Sequence, residues 1–217
     1  GRTPGVTGTS ISLSGTPGNR ARLHAAEGGR AQFSGYLSTG ATEGGASEIV
    51  VGAQSRIEAQ SVSFGVGRDH DTSLQLKNGG TFAAPNGVRL NVNVDAANTA
   101  TIVVGGYDGA TGSYDGGGML ETPRLSKTAG IGTGVLRFIH RDMDGLPFLP
   151  DVTGMEIIES TGPGRSMLQG RVVDGGVARA DVGTLVFAHR AAMSNLTAGA
   201  QVRGGNMVVS GSDLRVT

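Results

Sequence analysis

The sequence has no cysteine and no tryptophan, and aromatic residues make up only 4% of its 217 positions. Disulfide bonds and cysteine-based zinc or redox sites are therefore excluded. The 18 basic residues are balanced by 18 acidic ones, which argues against a nucleic-acid or acidic-membrane binder driven by bulk charge. No apolar run approaches the roughly 20 residues of a membrane-spanning helix, so we expect no nucleic-acid partner and no membrane insertion.

Glycine, by contrast, is abundant, with 39 residues. It follows no G-X-Y period, which excludes collagen, and 37% of the residues are hydrophobic, enough for a folded core. The composition is typical of a chain that turns often. Because no signal peptide precedes Gly1-Arg2-Thr3-Pro4, we expect a mature or excised fragment, folded as a single domain over residues 1–217.

The clearest structural signal lies in residues 74–104, where apolar and polar residues alternate. Such a period of two predicts strands with one buried face. The segments Asn78-Gly79-Gly80 and Asn86-Gly87 tolerate positive φ and predict tight turns between those strands. The predicted core face at the centre of the stretch consists of Val88, Leu90, Val92 and Val94.

Short apolar alternations recur elsewhere, and Leu13, Leu23 and Phe33 follow one another at intervals of ten residues. We expect further strands at 49–51, 56–57 and 62–64, a loop over 40–48, and almost no helix, because no window shows a convincing 3.6-residue period. The Gly/Tyr/Asp-rich segment 105–118 is the longest one predicted to lack strands, and we expect it to project from the body.

A second pattern, G-x-L-x-F-x-H-R, occurs at 134–141 and again at 183–190. Repeated units that cannot bury an apolar face alone stack on their neighbours, and the interval corresponds to two coils of roughly 20–25 residues. This predicts equivalent positions for His140 and His189, and core positions for Leu136, Phe138, Leu185 and Phe187.

Two all-β architectures fit these patterns. A sandwich or barrel needs antiparallel pairing and regular strand spacing, whereas a right-handed parallel β-helix, or β-solenoid, accepts loops of different length on each coil. The spacing between predicted strands varies along the chain, and this variation favours the β-helix.

Residues from about 74 to 168 resemble the passenger domain of classical bacterial autotransporters, the type V secretion proteins. The segment 132–140 (GTGVLRFIH) is similar to the family strand GTGxLxFxH, and 148–154 (FLPDVTG) is similar to its FxPxIxG continuation. Segments 164–170 and 204–209 resemble later strands, whereas 171–182 lacks the usual Tyr-x-Gly-x-Thr turn and the first 70 residues match only in rhythm.

The resemblance implies a right-handed β-helix that is secreted or displayed on the bacterial surface, anchored by a C-terminal outer-membrane barrel that lies outside this sequence. It also implies an adhesin or virulence-type protein. Its partner would be a host cell-surface or extracellular-matrix protein or glycan, with self-association as a further possibility. It transfers no binding site.

The candidate binding residues are Tyr107, Asp108, Tyr114 and Asp115, which form two Tyr-Asp-Gly copies in the segment 105–118. Exposed tyrosine is a frequent contact residue at interfaces. The alternative for this segment is a disordered spacer.

Other ionisable clusters have structural alternatives. Asp69-His70-Asp71 is either a metal or carboxylate site or a solvated loop, and Asp142-Met143-Asp144-Gly145 is an incomplete calcium-loop pattern or a turn. His140 and His189 could bind a metal weakly or close core strands through hydrogen bonds. No nucleophile or phosphate-loop motif occurs, so we expect no catalytic residue, no metal and no cofactor.

Two alternative functions remain open. The first is a β-helical polysaccharide lyase or glycosidase, which would need an acid pair roughly 5–10 Å apart in a groove. The second is a structural stalk without a binding site of its own. The acids available to such an enzyme are Asp69, Asp71, Asp95 and Glu121.

Overall fold

The computed structural model describes residues 5–40, 44–65, 70–90, 98–128, 130–188, 194–211 and 214–217. These residues form 25 strands and no helix. In chain order the strands are β1 Gly5–Gly8, β2 Ile11–Leu13, β3 Arg20–Ala25, β4 Arg30–Thr39, β5 Ala46–Val51, β6 Arg56–Phe64, β7 Asp71–Leu76, β8 Thr81–Ala83, β9 Val88–Leu90, β10 Thr99–Gly105, β11 Tyr107–Asp108, β12 Ser113–Tyr114, β13 Met119–Glu121, β14 Arg124–Lys127, β15 Thr133–Ile139, β16 Leu146–Phe148, β17 Asp151–Thr153, β18 Ile157–Ser160, β19 Arg165–Leu168, β20 Val172–Val173, β21 Gly175–Ala180, β22 Thr184–Phe187, β23 Ser194–Val202, β24 Asn206–Val209 and β25 Leu214–Val216.

Three parallel sheets carry the fold. Sheet I has nine strands in the order β25-β23-β21-β18-β15-β10-β7-β5-β3. Sheet II has ten strands: seven follow the order β1-β4-β6-β9-β14-β17-β20, and β2, β8 and β13 pair beside this path. Sheet III has four strands in the order β16-β19-β22-β24. Neighbouring strands in a sheet come from successive coils, because the chain visits another sheet before it returns. The all-β parallel β-helix predicted from the sequence is therefore confirmed, and the antiparallel sandwich or barrel is excluded.

The coils differ in length. In sheet I, Ile157 pairs with Val177, 20 residues further along the chain, whereas Thr99 pairs with Thr133, 34 residues further along. The longer coil contains residues 106–118, which are inserted between β10 in sheet I and β13 in sheet II. The corners thus absorb most of the length variation, and the register shifts by one residue only within the pairs β4–β6 and β21–β23 of the described strands.

The core of sheet I is a ladder of aliphatic side chains, one from each coil, and every member from β5 to β21 is fully buried. A side chain of this kind stabilises the fold by about 1.5–3 kcal/mol when it is removed from water. The ladder consists of Ile49, Leu74, Ile102, Leu136, Ile158 and Ala178.

The predicted core positions of the described residues are confirmed. Val88 and Leu90 are buried in sheet II, and Leu136, Phe138, Leu185 and Phe187 are buried further along the chain. Val92 and Val94, predicted for the same face, lie outside the described residues.

The predicted turns are also present. Asn78 and Gly79 have φ values of 52° and 76° between β7 and β8, and Gly87 has a φ of 102° before β9. The loop predicted over 40–48 is too long, because β5 begins at Ala46, and residues 41–43 lie outside the described ranges.

The prediction that the two G-x-L-x-F-x-H-R copies stack is wrong. Residues 134–139 belong to β15 in sheet I, whereas 184–187 form β22 in sheet III. Two coils after β15 the chain is in β21, because Val135 pairs with Ile157 and Ile157 with Val177. The second copy follows one corner later, so the two copies occupy different faces of the helix.

Adjacent residues of β13 provide a test of the inward and outward faces. Leu120 is 3% exposed, whereas Met119 is 44% exposed. We expect Leu120→Asp to lower the free energy of unfolding by about 3 kcal/mol or more, because it buries an unpaired carboxylate. Met119→Asp is the matched control and should change it by less than about 1 kcal/mol. Urea unfolding followed by circular dichroism measures both, and equal losses would show that the faces are wrongly assigned.

Candidate functional site

The inserted segment 106–118 contains an antiparallel hairpin. Strands β11 and β12 pair Tyr107 with Tyr114 and Asp108 with Ser113. The prediction that this segment lacks strands is therefore wrong. Each strand has only two residues, too few for the alternation that reveals strands in a sequence.

The two tyrosines of the candidate site lie together on this hairpin. Their ring centroids are 4.9 Å apart at an interplanar angle of 49°. Tyr107 is 55% exposed, while Tyr114 is half-buried. A tilted aromatic pair of this kind is a favourable contact, and it holds the Tyr107 ring at the surface.

Asp108 forms the turn of the hairpin. Its carboxylate accepts hydrogen bonds from the backbone N–H of Ala110 and from the Thr111 hydroxyl, both at 2.9 Å. These bonds, that of Ala110 first, lower the pKa of Asp108 below its ordinary value. A side chain engaged in this way stabilises the turn, so its carboxylate oxygens are already partly satisfied.

Asp115 anchors the hairpin to the preceding coil. Its carboxylate pairs with Lys77 Nζ at 3.2 Å and accepts a hydrogen bond of 2.8 Å from the Asn78 side chain. Asn78 Oδ1 in turn accepts the Gly116 N–H at 2.8 Å. The four predicted binding residues thus divide into a tyrosine pair at the surface and two aspartates that hold the hairpin in place.

The acidic residues of the enzyme alternative are separated. The Asp71 carboxylate accepts the Thr99 N–H at 2.9 Å in sheet I, whereas Glu121 pairs with Arg56 at 2.7 Å on sheet II. Asp69 and Asp95 lie outside the described residues. Asp71 and Glu121 are therefore in different sheets, and each already has a partner.

The calcium-loop pattern at 142–145 forms a structural contact. Asp142 Oδ2 accepts the Gly117 N–H at 2.6 Å. Among the residues that the structure describes, no group of three or more His, Asp or Glu side chains is placed to hold a metal ion.

A Ser–His–Asp contact lies inside the β-helix, and no motif in the sequence indicated it. His140 Nε2 is 2.8 Å from Ser166 Oγ, and His140 Nδ1 is 3.2 Å from Asp142 Oδ2. His140 is 1% exposed and Ser166 is fully buried. A nucleophile must reach its substrate, so this arrangement is a buried link between two coils.

Glycine makes room for the buried imidazole. A Cβ on Gly164 would lie 2.4 Å from His140 Nδ1. The same device occurs earlier, where His70 Nε2 is 2.8 Å from Ser47 Oγ and a Cβ on Gly40 would lie 3.0 Å from the imidazole of His70. The structural alternative for His140 therefore holds, and His189, its proposed metal partner, lies outside the described residues.

The outside of sheet II has a concave surface that no motif in the sequence indicated. It is a groove of about 560 Å³ that crosses β4, β6, β9, β14 and β17. Its polar lining comes from residues far apart in the chain, among them Tyr36, Ser63, Arg89, Arg124 and Asp151. Only the strand register reveals that these residues are neighbours.

No protein-family model matches the sequence, and comparisons with curated proteins and with solved structures give no match either. Across the described residues there is no helix long and apolar enough to cross a membrane.

The buried His140 predicts a pH dependence of stability. Burial lowers the pKa of His140 below its ordinary value, and the nearby Asp142 carboxylate partly opposes this effect. The unfolded chain therefore binds this proton more readily as the pH falls below about 6.5, and the free energy of unfolding decreases. Above about pH 7.5 His140 is neutral in both states and adds no pH dependence.

Urea unfolding between about pH 8 and about pH 5 measures this dependence. His140→Gln should reduce the loss of stability on acidification by more than His24→Gln does, because His140 is buried whereas His24 is exposed on β3. An unaltered pH profile in His140→Gln would contradict the assignment.

Proposed function

We propose that this chain is the binding segment of a secreted or surface-displayed bacterial protein of the autotransporter-passenger type, and that its hairpin β11–β12 contacts the partner. The partner is a host cell-surface or extracellular-matrix protein or glycan. The observation that carries the proposal is a tyrosine pair held at the surface by a hairpin that is itself braced to the body.

The bracing distinguishes this hairpin from a flexible spacer. Besides the contacts of its side chain, the Asp115 backbone accepts the Arg141 N–H at 3.2 Å and donates to Gly106 at 2.9 Å. The hairpin is thereby joined to coils on both sides. A preorganised aromatic contact loses little conformational entropy when it binds, which suits an adhesive surface.

The fold supports the passenger assignment, since a parallel β-helix is what the resemblance implies. The segment 132–140, which is similar to the family strand GTGxLxFxH, spans β15, whose Leu136 and Phe138 are buried in the core. A solenoid also presents a long surface on which many modest contacts can add up.

A binding role is better supported than catalysis. Ser166 is sealed in the core beside His140. Asp71 and Glu121 are each engaged with a structural partner in a different sheet. Catalysis by such groups would need a shared, accessible cleft.

We expect Tyr107→Ala/Tyr114→Ala to weaken attachment by about tenfold or more, because a central aromatic contact contributes about 2 kcal/mol. Attachment is measured with beads coated with the chain, on cultured epithelial cells and on immobilised extracellular matrix. Thermal unfolding should change little, because the hairpin lies outside the core.

Met143→Ala is the matched control, because Met143 is 68% exposed and lies outside the hairpin. Loss of attachment in this control as well would argue against a specific role of the tyrosines. Wild-type attachment retained by a folded double variant would remove the hairpin assignment, and failure of the wild-type chain to attach would contradict the adhesive function. Sedimentation velocity of the wild-type chain tests self-association as the alternative partner.

A further inference from the structure

The groove on the outside of sheet II runs parallel to the axis of the helix. It crosses five successive strands, β4, β6, β9, β14 and β17, each hydrogen-bonded to the next. Four interstrand spacings give it a length of roughly 19 Å. An opening of this shape fits an extended chain better than a compact small molecule.

Its floor has a regular chemistry. One row across the strands places Arg89 between Ser63 and Ser126, which are its direct register partners. The neighbouring row begins with Tyr36 paired with Ser61 and ends with Arg124 paired with Asp151. The first row therefore places a guanidinium group between two hydroxyl groups, and the second row runs from two hydroxyl groups at one end to a guanidinium group and a carboxylate at the other.

Both arginines are available to a ligand. Arg89 and Arg124 are exposed, and neither has an ion-pair partner among the described residues. Arg56, which lies in the same sheet, is by contrast paired with Glu58 and Glu121. Within the described residues, the guanidinium groups of the groove thus lack the carboxylate partners that Arg56 has.

The groove carries a local positive charge although the whole chain is neutral. Its described lining contains two guanidinium groups and one carboxylate, that of Asp151. Asp151 Oδ1 accepts the Arg171 N–H at 2.8 Å, so this carboxylate also has a structural role. The excess of one positive charge favours an anionic ligand.

We propose that this groove binds a linear anionic polysaccharide that bears carboxylate or sulfate groups. The planar forks of Arg89 and Arg124 match such oxyanions in two-pronged hydrogen bonds. Serine hydroxyls donate to and accept from sugar hydroxyls, and the ring of Tyr36, which is 57% exposed, offers an apolar surface to a sugar ring.

A nucleic acid fits the same groove less well. Proteins that hold single strands combine a basic channel with several aromatic rings on which successive bases stack. Tyr36 is the one aromatic residue in the described lining, and its neighbours across the strands are serines, arginines and Asp151. Saccharide hydroxyls are therefore the better match for this surface.

This site is independent of the proposed role of the hairpin. The groove lining comes from β4, β6, β9, β14, β17 and the turns beside them, and it includes no residue of 106–118. The Tyr107→Ala/Tyr114→Ala variant should therefore bind acidic polysaccharide as the wild-type chain does, so the two proposals can fail separately.

The test measures equilibrium binding of the whole chain to heparin, polygalacturonate, neutral dextran and single-stranded DNA. Arg89→Ala/Arg124→Ala should weaken binding to at least one of the two acidic polysaccharides by about tenfold or more, the loss expected for one charged hydrogen bond. Dextran should not bind. Binding to the acidic polysaccharide should weaken as salt is added.

Arg141→Ala/Arg165→Ala is the matched control, because both residues are exposed and the variant removes the same charge outside the groove. Asp151→Asn keeps the Oδ1 acceptor. It should tighten binding by about twofold or more, because it removes a negative charge that repels the anionic ligand. Thermal unfolding verifies that each variant is folded.

Four results would overturn the proposal. The first is an equal loss of affinity in the two double-arginine variants, which would indicate that overall charge drives the binding. The second is the absence of binding to both heparin and polygalacturonate. The third is tighter binding of single-stranded DNA than of either polysaccharide at the same salt concentration, and the fourth is weaker binding in Asp151→Asn.

Discussion

The structure depends on the vertical stacking of equivalent side chains in successive coils. In sheet I the ladder from Ile49 to Ala178 requires each coil to return to the same register, because a slip of one residue would turn the apolar face outward. The corners therefore absorb most of the difference in coil length, and the strands absorb single residues in the register shifts of β4–β6 and β21–β23. The hairpin β11–β12 is the largest corner insertion among the described residues. The same constraint explains the buried polar links, since His140 with Ser166 and His70 with Ser47 each join two neighbouring coils.

The two surfaces for which we propose binding arise from this constraint in different ways. The hairpin is an insertion that the ladder tolerates, and Lys77 and Asn78 of the preceding turn hold it in place. The groove needs no insertion, because the outward positions of parallel strands automatically form rows along the axis. A local insertion provides a small aromatic contact, whereas a row across five strands provides an elongated one. One regular scaffold can in this way offer sites for two kinds of partner.

The sequence predicted what depends on neighbours in the chain. Alternation placed Val88 and Leu90 inside, and Asn78-Gly79 marked a turn with positive φ. It failed where the answer depends on partners in other coils. An apolar face at 183–190 has the same chemistry in any of the three sheets, so the repeat could not reveal that β22 lies in sheet III. The contacts by which Asp115 holds the hairpin could not be predicted, because its partner Lys77 is 38 residues away in the chain. The groove could not be predicted from the sequence, because Tyr36, Arg89 and Arg124 become neighbours only through the pairing of strands in sheet II.

The coils of sheet I stack strand upon strand from β3 to β25, and electron–electron distances between spin labels measure this stacking. The chain has no cysteine, so two introduced cysteines carry the only labels. One row of sheet I runs from His24 through Gln75 to Gln201. His24→Cys/Gln201→Cys spans seven strand spacings and should give roughly 34 Å between backbone positions, whereas Gln75→Cys/Gln201→Cys spans five and should give roughly 24 Å. Equal distances for the two pairs, or a shorter one for the first pair, would contradict the stacked helix.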